Sequence, residues 1–181
     1  MTAEDRFQAL SPHRRAHSER VVAVMEVLAD VHHLNLAQAR LAGWAHDLAR
    51  ELSRPQLLAE AKHLGLPYGP EEAQEPILLH GPVAAAWLRA ANLGTESVWS
   101  AIRFHTTGSA DLDPLGQALF IADGVEPGRV YHEREALYRL SLDNLTQGYQ
   151  AALSQTLTYL RSRNITPHPH MMRALAALSR P

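Results

Sequence analysis

The 181-residue sequence contains no cysteine. Disulfide bonds, thiolate metal sites, iron–sulfur clusters and cysteine nucleophiles are therefore excluded. A cysteine-free chain fits a reducing compartment, so we expect a cytoplasmic protein. Residues 1–10 are too polar for a signal peptide. Charged residues or histidines interrupt every apolar run before it could span a bilayer, so we expect no membrane partner.

The sequence also has no excess of positive charge. It contains 17 Lys and Arg and 19 Asp and Glu, which gives a net charge of −2. Non-specific nucleic-acid binding needs a basic surface that displaces counterions, so no nucleic-acid partner is expected. No stretch alternates apolar and polar residues for long enough to indicate a strand. The length fits one domain over residues 1–181, with a core from about 13 to 178. The sequence thus predicts an all-α, single-domain helical bundle.

Capping residues predict where the helices begin. Ser11-Pro12 should open a helix that reaches about His33, and Asn35 and Ser53 should open the next two, the second ending at Gly65. Residues 66–75 are expected to form a loop, with His80 at a junction between loop and helix. Later helices are expected from Gly81 to near Gly94, from Thr95 to His105, from Asp113 to before Pro127, over 133–140, over 142–163 and over 168–178.

Histidine is enriched, at 11 residues. Five ionisable residues have apolar neighbours at offsets of three, four and seven, which places them on helix faces that should point inward. These residues are His17, His46, His80, His105 and Asp123.

A single inward histidine is usually a hydrogen-bonded core residue. An unpaired inward carboxylate is harder to explain, because its burial costs several kcal/mol. Asp47 adds a second carboxylate beside His46, and few Lys or Arg residues are expected nearby. The simplest neutralising group is a divalent metal, and an imidazole and carboxylate set suits Fe, Mn, Co, Zn or Mg.

The residues His17, His46-Asp47 and Asp123 resemble the H…HD…D signature of the HD phosphohydrolases. The surrounding sequence is similar to the bacterial symmetrical bis(5'-nucleosyl)-tetraphosphatase family over about residues 13–178. The matching segments are AGWAHDLAR at 42–50, LLHGPVAA at 78–85, AIRFHTTG at 101–108 and FIADGVEPGR at 120–129.

The resemblance implies an HD-type helical bundle with a divalent metal at its centre. Iron is the expected metal, and Mn, Co and Mg are the alternatives. The resemblance also implies that the metal ligands are His17, His46, Asp47 and Asp123, and that the catalytic residues are Asp47, His80 and His105. The implied reaction is cleavage of diadenosine tetraphosphate into two ADP. The implied nucleotide contacts are His17, Arg50, His80, His105, Thr106, Asp123, Arg129, Thr166, Pro167, His168, Pro169, His170 and Met171.

Two departures from the family pattern affect substrate recognition. Arg50 stands where the family usually has lysine, and residues 166–170 differ from the usual motif, so base preference could differ. Two alternatives to this function stay open: another nucleotide substrate (a dNTP, a nucleoside monophosphate or a cyclic dinucleotide), and a non-catalytic nucleotide-binding protein. The oligomeric state also stays open, with a homodimer as one option.

Overall fold

The computed structural model describes residues 1–179, in which eleven α-helices and one 3-10 helix are found and no strand. The all-α prediction is confirmed. Within this described range, no helix combines the length and apolar character that crossing a membrane requires. The division of the whole chain into a single domain stays a prediction.

The helices follow one another through short connections. They are α1 Ala3–Ala9, α2 Pro12–Val31, α3 Leu36–Ala45, α4 Arg54–His63, α5 Pro70–Gln74, the 3-10 helix Pro76–Leu79, α6 His80–Ala90, α7 Glu96–Phe104, α8 Pro114–Val125, α9 Arg134–Asp143, α10 Leu145–Ser162 and α11 Pro169–Leu178.

Most predicted helix starts carry the expected cap. Side-chain oxygens of Ser11, Asn35 and Asp113 accept from the backbone N–H three residues later, over 3.2, 3.0 and 2.9 Å. Ser53 and Gln56 form a reciprocal capping box. Gly65 has the positive φ, 64°, that a left-handed helix stop needs. Local capping chemistry therefore fixes these boundaries.

The structure corrects three local predictions and adds one helix for which no prediction was made. Residues 3–9 form α1, which a Thr2–Asp5 capping box starts, and part of the predicted loop 66–75 is the short helix α5. Asn144 separates α9 from α10, later than expected. His80 does not follow a loop, because the 3-10 helix Pro76–Leu79 runs directly into α6. The first turn of α6 is therefore continuous with a preceding helical turn.

Helix α8 lies in the centre of the bundle, in contact with α2, α3, α7, α9 and α10. Its residues Leu119, Ile121 and Ala122 are fully buried. Because α8 is apolar on nearly every side, it is covered by neighbours rather than by water. This arrangement brings α2, the end of α3 and α8 together around one point.

Helices α6 and α7 approach closely because Gly81 has no side chain. A Cβ at this position would lie 2.6 Å from the carbonyl oxygen of Ile102 and 3.1 Å from Nδ1 of His105. The close contact sets His80 on α6 beside His105, which follows α7.

Candidate metal centre and active site

Six ionisable side chains converge where α2, the turn after α3, α6, α7 and α8 meet. They are His17, His46, Asp47, His80, His105 and Asp123. The four histidines and Asp47 are buried, and the carboxylate of Asp123 is half-buried. The structure therefore brings together every inward-facing ionisable residue that the sequence indicated.

Four of these side chains, the predicted metal ligands, form one group. Nε2 of His17 lies 3.3 Å from Nε2 of His46 and 3.1 Å from Oδ1 of Asp123. Oδ2 of Asp47 lies 3.7 Å from Nε2 of His17 and 3.5 Å from Nε2 of His46. Ligand atoms of His17, His46 and Asp47 all lie within 4.8 Å of one another, as do those of His46, His105 and Asp123.

The other two histidines face the second oxygen of Asp47. Oδ1 of Asp47 lies 3.2 Å from Nε2 of His80 and 3.8 Å from Nε2 of His105. The two Nε2 atoms are 2.9 Å apart. Asp47 thus lies between two histidine pairs, with one oxygen toward each.

The partners of the Nδ1 atoms determine the tautomers. Nδ1 of His46, His80 and His105 contacts the carbonyl oxygens of Gly43, Ile77 and Ile102 over 2.7, 2.5 and 2.7 Å. A carbonyl only accepts, so each Nδ1 carries the proton, and in the neutral ring Nε2 presents a lone pair. Lone pairs directed at one another repel, and a cation between them removes the repulsion. The donor set therefore fits a divalent metal.

The charge states also suit cation binding. Burial raises the pKa of Asp47, but the neighbouring imidazoles of His46 and His80 outweigh it and hold this pKa well below its usual range. Burial likewise raises the pKa of Asp123, and the hydrogen bond from His17, the imidazole of His46 and the charge of Arg129 bring it below its ordinary value. Burial and the neighbouring imidazoles of His80 and His46 lower the pKa of His105 to about 3. Both carboxylates are therefore ionised at neutral pH, and His105 is neutral.

Three charged residues near the centre were missed by sequence reasoning. Nη1 of Arg14 donates to Oδ2 of Asp47 over 2.7 Å. Buried Glu126 contacts Nδ1 of His17 over 3.2 Å and accepts from Nε of Arg20 over 2.5 Å. Arg14 precedes His17 by three residues and Glu126 follows Asp123 by three, so the helical offset was a usable signal.

Among the predicted nucleotide contacts, Arg129, Thr106 and Arg50 lie close to the centre. Nη2 of Arg129 donates to Oδ1 of Asp123 over 2.7 Å, with 44% of its side chain exposed. Oγ1 of Thr106 is 3.2 Å from Nε2 of His105. Half-buried Arg50 lies in the turn after α3, and its N–H donates to the carbonyl of Asp47 over 2.9 Å.

A cleft of about 830 Å³ opens beside the centre, between α8, α9 and α10. Its lining residues include His105, Thr106, Asp123 and Arg129. A bound molecule in this cleft would therefore touch both the candidate metal ligands and the predicted nucleotide contacts.

The predicted contacts at the start of α11 lie elsewhere. Thr166, Pro167, His168, Pro169, His170 and Met171 are not among the residues that line the cleft. Nε2 of His168 lies 3.2 Å from Oε1 of Glu72, the ring of His170 is 5.2 Å from that of Phe104, and Met171 is buried in the core. Their contact with a nucleotide stays a prediction.

The HD domain model matches residues 14–128, a range that contains all six converging side chains. The chain belongs to the HD-domain family. The cluster of histidines and carboxylates is therefore a candidate site for a divalent metal.

Curated relatives place the chain among the symmetrical bis(5'-nucleosyl)-tetraphosphatases, as the resemblance indicated. The protein of that name from Halalkalibacterium halodurans is 31% identical, over 90% of this chain and 89% of the relative. The Bacillus subtilis protein of the same name is 29% identical, over 87% of this chain and 84% of the relative.

A solved HD-domain structure has the same fold. A Clostridium acetobutylicum protein, described as a predicted HD superfamily hydrolase involved in NAD metabolism, superposes with a TM-score of 0.92 at 25% identity. The superposition covers 97% of this chain and 94% of that one. The predicted HD-type bundle is thereby confirmed.

Proposed function

We propose that this protein is a metal-dependent hydrolase that cleaves diadenosine tetraphosphate symmetrically into two molecules of ADP. The observation that carries the proposal is the convergence of four imidazoles and two carboxylates, with the Nδ1 atoms tied away from the centre. The names of the curated relatives supply the substrate.

We assign the metal to His17, His46, Asp47 and Asp123. Iron is the proposed ion, with Mn or Co as alternatives. Mg is less suited, because it prefers oxygen ligands and this set is half imidazole. When bound, the ion supplies positive charge beside a phosphate oxygen and lowers the pKa of water there.

The remaining residues hold and position the substrate. Arg129 and Arg50 are proposed to bind phosphate oxygens through their planar guanidinium groups. Thr106 offers a hydroxyl to the same phosphates, and Asp47 accepts a hydrogen bond from the attacking water and orients it. These fixed charges and donors stabilise the negative charge that develops on the inner phosphates.

Symmetrical cleavage breaks one bond between the bridging oxygen and an inner phosphorus. Water forms the new bond to that phosphorus, and the bridging oxygen leaves with the second ADP. Because burial lowers the pKa of His105 to about 3, this residue is a proton acceptor at neutral pH. We therefore assign the proton transfer to the His80–His105 pair, whose Nε2 atoms are 2.9 Å apart: the pair takes up the proton that the attacking water releases and returns it to the leaving oxygen.

Product analysis tests the function. Purified protein is incubated with diadenosine tetraphosphate and Fe²⁺, Mn²⁺, Co²⁺ or Mg²⁺, with a chelator control and an Asp123→Ala variant, and the products are separated by ion exchange. We expect ADP alone, abolished by chelator and lost in the variant. AMP with ATP as products, or turnover unaffected by chelator, would contradict the proposal.

The same assay separates the alternatives. Cleavage of a dNTP, a nucleoside monophosphate or a cyclic dinucleotide in preference to diadenosine tetraphosphate would identify another HD substrate, and binding without turnover would indicate a non-catalytic protein. A cytoplasmic location and a homodimer stay predictions, to be tested by fractionation and by the mass of the protein in solution.

A further inference from the structure

We infer that the outer part of the α8–α10 cleft is a binding site for the second nucleoside of the substrate. The outer part is defined here as the region of Tyr131, Ser154, Thr158, Tyr159 and Ser162. This inference rests on the proposed function, because only a substrate with a nucleoside at both ends requires two such sites.

The position of the cut requires the second site. Symmetrical cleavage places the reacting phosphorus in the middle of the tetraphosphate, so a nucleoside diphosphate extends from the metal centre on each side. The contacts predicted at residues 166–171 would serve one side. The cleft is lined by His105, Asp123 and Arg129 of the same centre and also by Tyr159 and Ser162 of α10, so it offers a place for the other side.

Two tyrosines in the outer cleft are exposed without being part of the core. Tyr159 is 56% exposed and Tyr131 is 38% exposed, beside Val130, which is 97% exposed. The hydroxyl of Tyr131 donates to the carbonyl of Gly124 over 3.2 Å, which holds its ring at the cleft. An exposed aromatic ring is a platform on which a nucleobase stacks.

A row of hydroxyls on α10 faces the same space. The hydroxyls of Ser154, Thr158 and Ser162 donate to the carbonyls of Gln150, Ser154 and Tyr159 over 2.8, 3.0 and 2.8 Å. Since these donors are used within the helix, the oxygens present lone pairs to the cleft. They are suited to accept from ribose hydroxyls or from the amino group of a base.

Charge beside the metal centre favours phosphate there. Among the lining residues, formal charges are carried by Asp123, Arg129 and Glu133, while Arg163, outside the lining, lies 5.7 Å from the ring of Tyr159. The phosphates would be held beside Arg129, which is hydrogen-bonded to Asp123 of the centre. Glu133 is an acceptor for ribose hydroxyls, as acidic residues are in dinucleotide sites.

Kinetics of Tyr159→Ala and Tyr131→Ala test the inference. For each variant we would measure kcat and KM with diadenosine tetraphosphate, and the inhibition constant of inorganic tetraphosphate, a probe that has no nucleoside. Loss of one stacked base should raise KM about tenfold and leave kcat unchanged. The inhibition constant of inorganic tetraphosphate should not change.

Two further variants separate stacking from other effects. Tyr159→Phe keeps the ring and should retain the wild-type KM, and Tyr68→Ala, which removes an exposed tyrosine from the 66–69 loop, should behave as wild type. An unchanged KM in both alanine variants would overturn the inference. Equal weakening of substrate and inorganic tetraphosphate would overturn it too, because the loss would then not depend on the nucleoside.

The wild-type protein distinguishes this inference from the function on which it rests. If the wild type produces no ADP from diadenosine tetraphosphate, the proposed function fails and the second nucleoside site fails with it. If the wild type produces ADP and the alanine variants match it, the second nucleoside site alone is wrong.

Discussion

Glu126 contacts Nδ1 of His17 over 3.2 Å while it accepts from Nε of Arg20 over 2.5 Å. It also accepts from the backbone N–H of Gly128 over 2.6 Å. This carboxylate therefore fixes the ring of a proposed metal ligand from behind, in the way that carboxylates support ligating histidines in metal sites. Burial raises the pKa of Glu126, but the hydrogen bond from Arg20 outweighs it and lowers this pKa to about 2, so the group is charged at neutral pH.

The variant Glu126→Gln should bind the metal more weakly, by roughly 10-fold, since the charge that makes His17 a better ligand is lost. The measurement is metal content after dialysis against graded chelator. Glu135→Gln, at an exposed position on α9, is the matched control. Equal metal retention in the two variants would argue that Glu126 only supports the fold.

Arg14 should have the opposite effect on metal binding. Its guanidinium donates to Oδ2 of Asp47, the oxygen that faces His17 and His46, and a positive charge beside a ligand oxygen opposes binding of a cation. Arg14→Met should therefore tighten metal binding, by about tenfold. Competition with a chromogenic chelator measures the change, and Arg54→Met, at an exposed position, should leave the affinity unaltered. Weaker binding in Arg14→Met would mean that Arg14 orients Asp47 for the metal.

The contact of α6 with α7 should depend on Gly81. A methyl group at Gly81 would lie 2.6 Å from the carbonyl of Ile102, whereas one at Gly124 would have no neighbour within 4 Å. Gly81→Ala should destabilise the fold by about 1–3 kcal/mol, and Gly124→Ala should leave stability unchanged or raise it slightly. Thermal unfolding of the two variants provides the comparison. Equal melting temperatures would contradict the steric argument.

Tyr149 ties α10 to the loop after α7. Its hydroxyl donates to the carbonyl of Ser109 and accepts from the N–H of the same residue, each over 2.9 Å. Tyr149→Phe leaves both backbone groups without this partner, so we expect a loss of about 1–3 kcal/mol in unfolding free energy. Denaturant titration measures the loss, with Tyr68→Phe as the exposed control.

The same hydroxyl gives a pH dependence. Burial raises the pKa of Tyr149 to about 12, above its ordinary value of 10.0. The neutral form is favoured in the folded protein, so its stabilising effect is complete below about pH 10 and is lost as the pH rises toward the folded pKa. The wild type should therefore lose more stability than Tyr149→Phe between pH 10 and 12. Parallel losses in the two proteins would contradict this prediction.

Helical periodicity and capping residues predicted much of the fold and of the centre. His17, His46, His80, His105 and Asp123 could be placed on inward faces because a polar residue among apolar neighbours is visible in the sequence itself. The 3-10 helix before His80 could not be predicted, because its residues Pro76–Leu79 carry no cap and their turn depends on packing against α4 and α6.

The supporting charges were missed for a different reason. Glu126 and Arg20 are 106 positions apart in the chain, and each is in its own segment an ordinary polar residue. Only the packing of α2 against α8 makes them partners. The sequence therefore indicates which residues point inward, but it does not indicate which charged residues pair with them.

The Nδ1 contacts of His46, His80 and His105 share one geometry, since each reaches the carbonyl three positions earlier in the chain. The residues that supply those carbonyls are one glycine and two isoleucines, Gly43, Ile77 and Ile102, and none of them has a polar side-chain group. Selection of the tautomer is thus encoded in backbone conformation alone. Mutational tolerance at these three positions should be governed by volume, with no chemical requirement imposed by the centre. At Ile102, which is fully buried, a saturation library should therefore keep apolar residues that fit the space, because a buried polar group without a partner is costly.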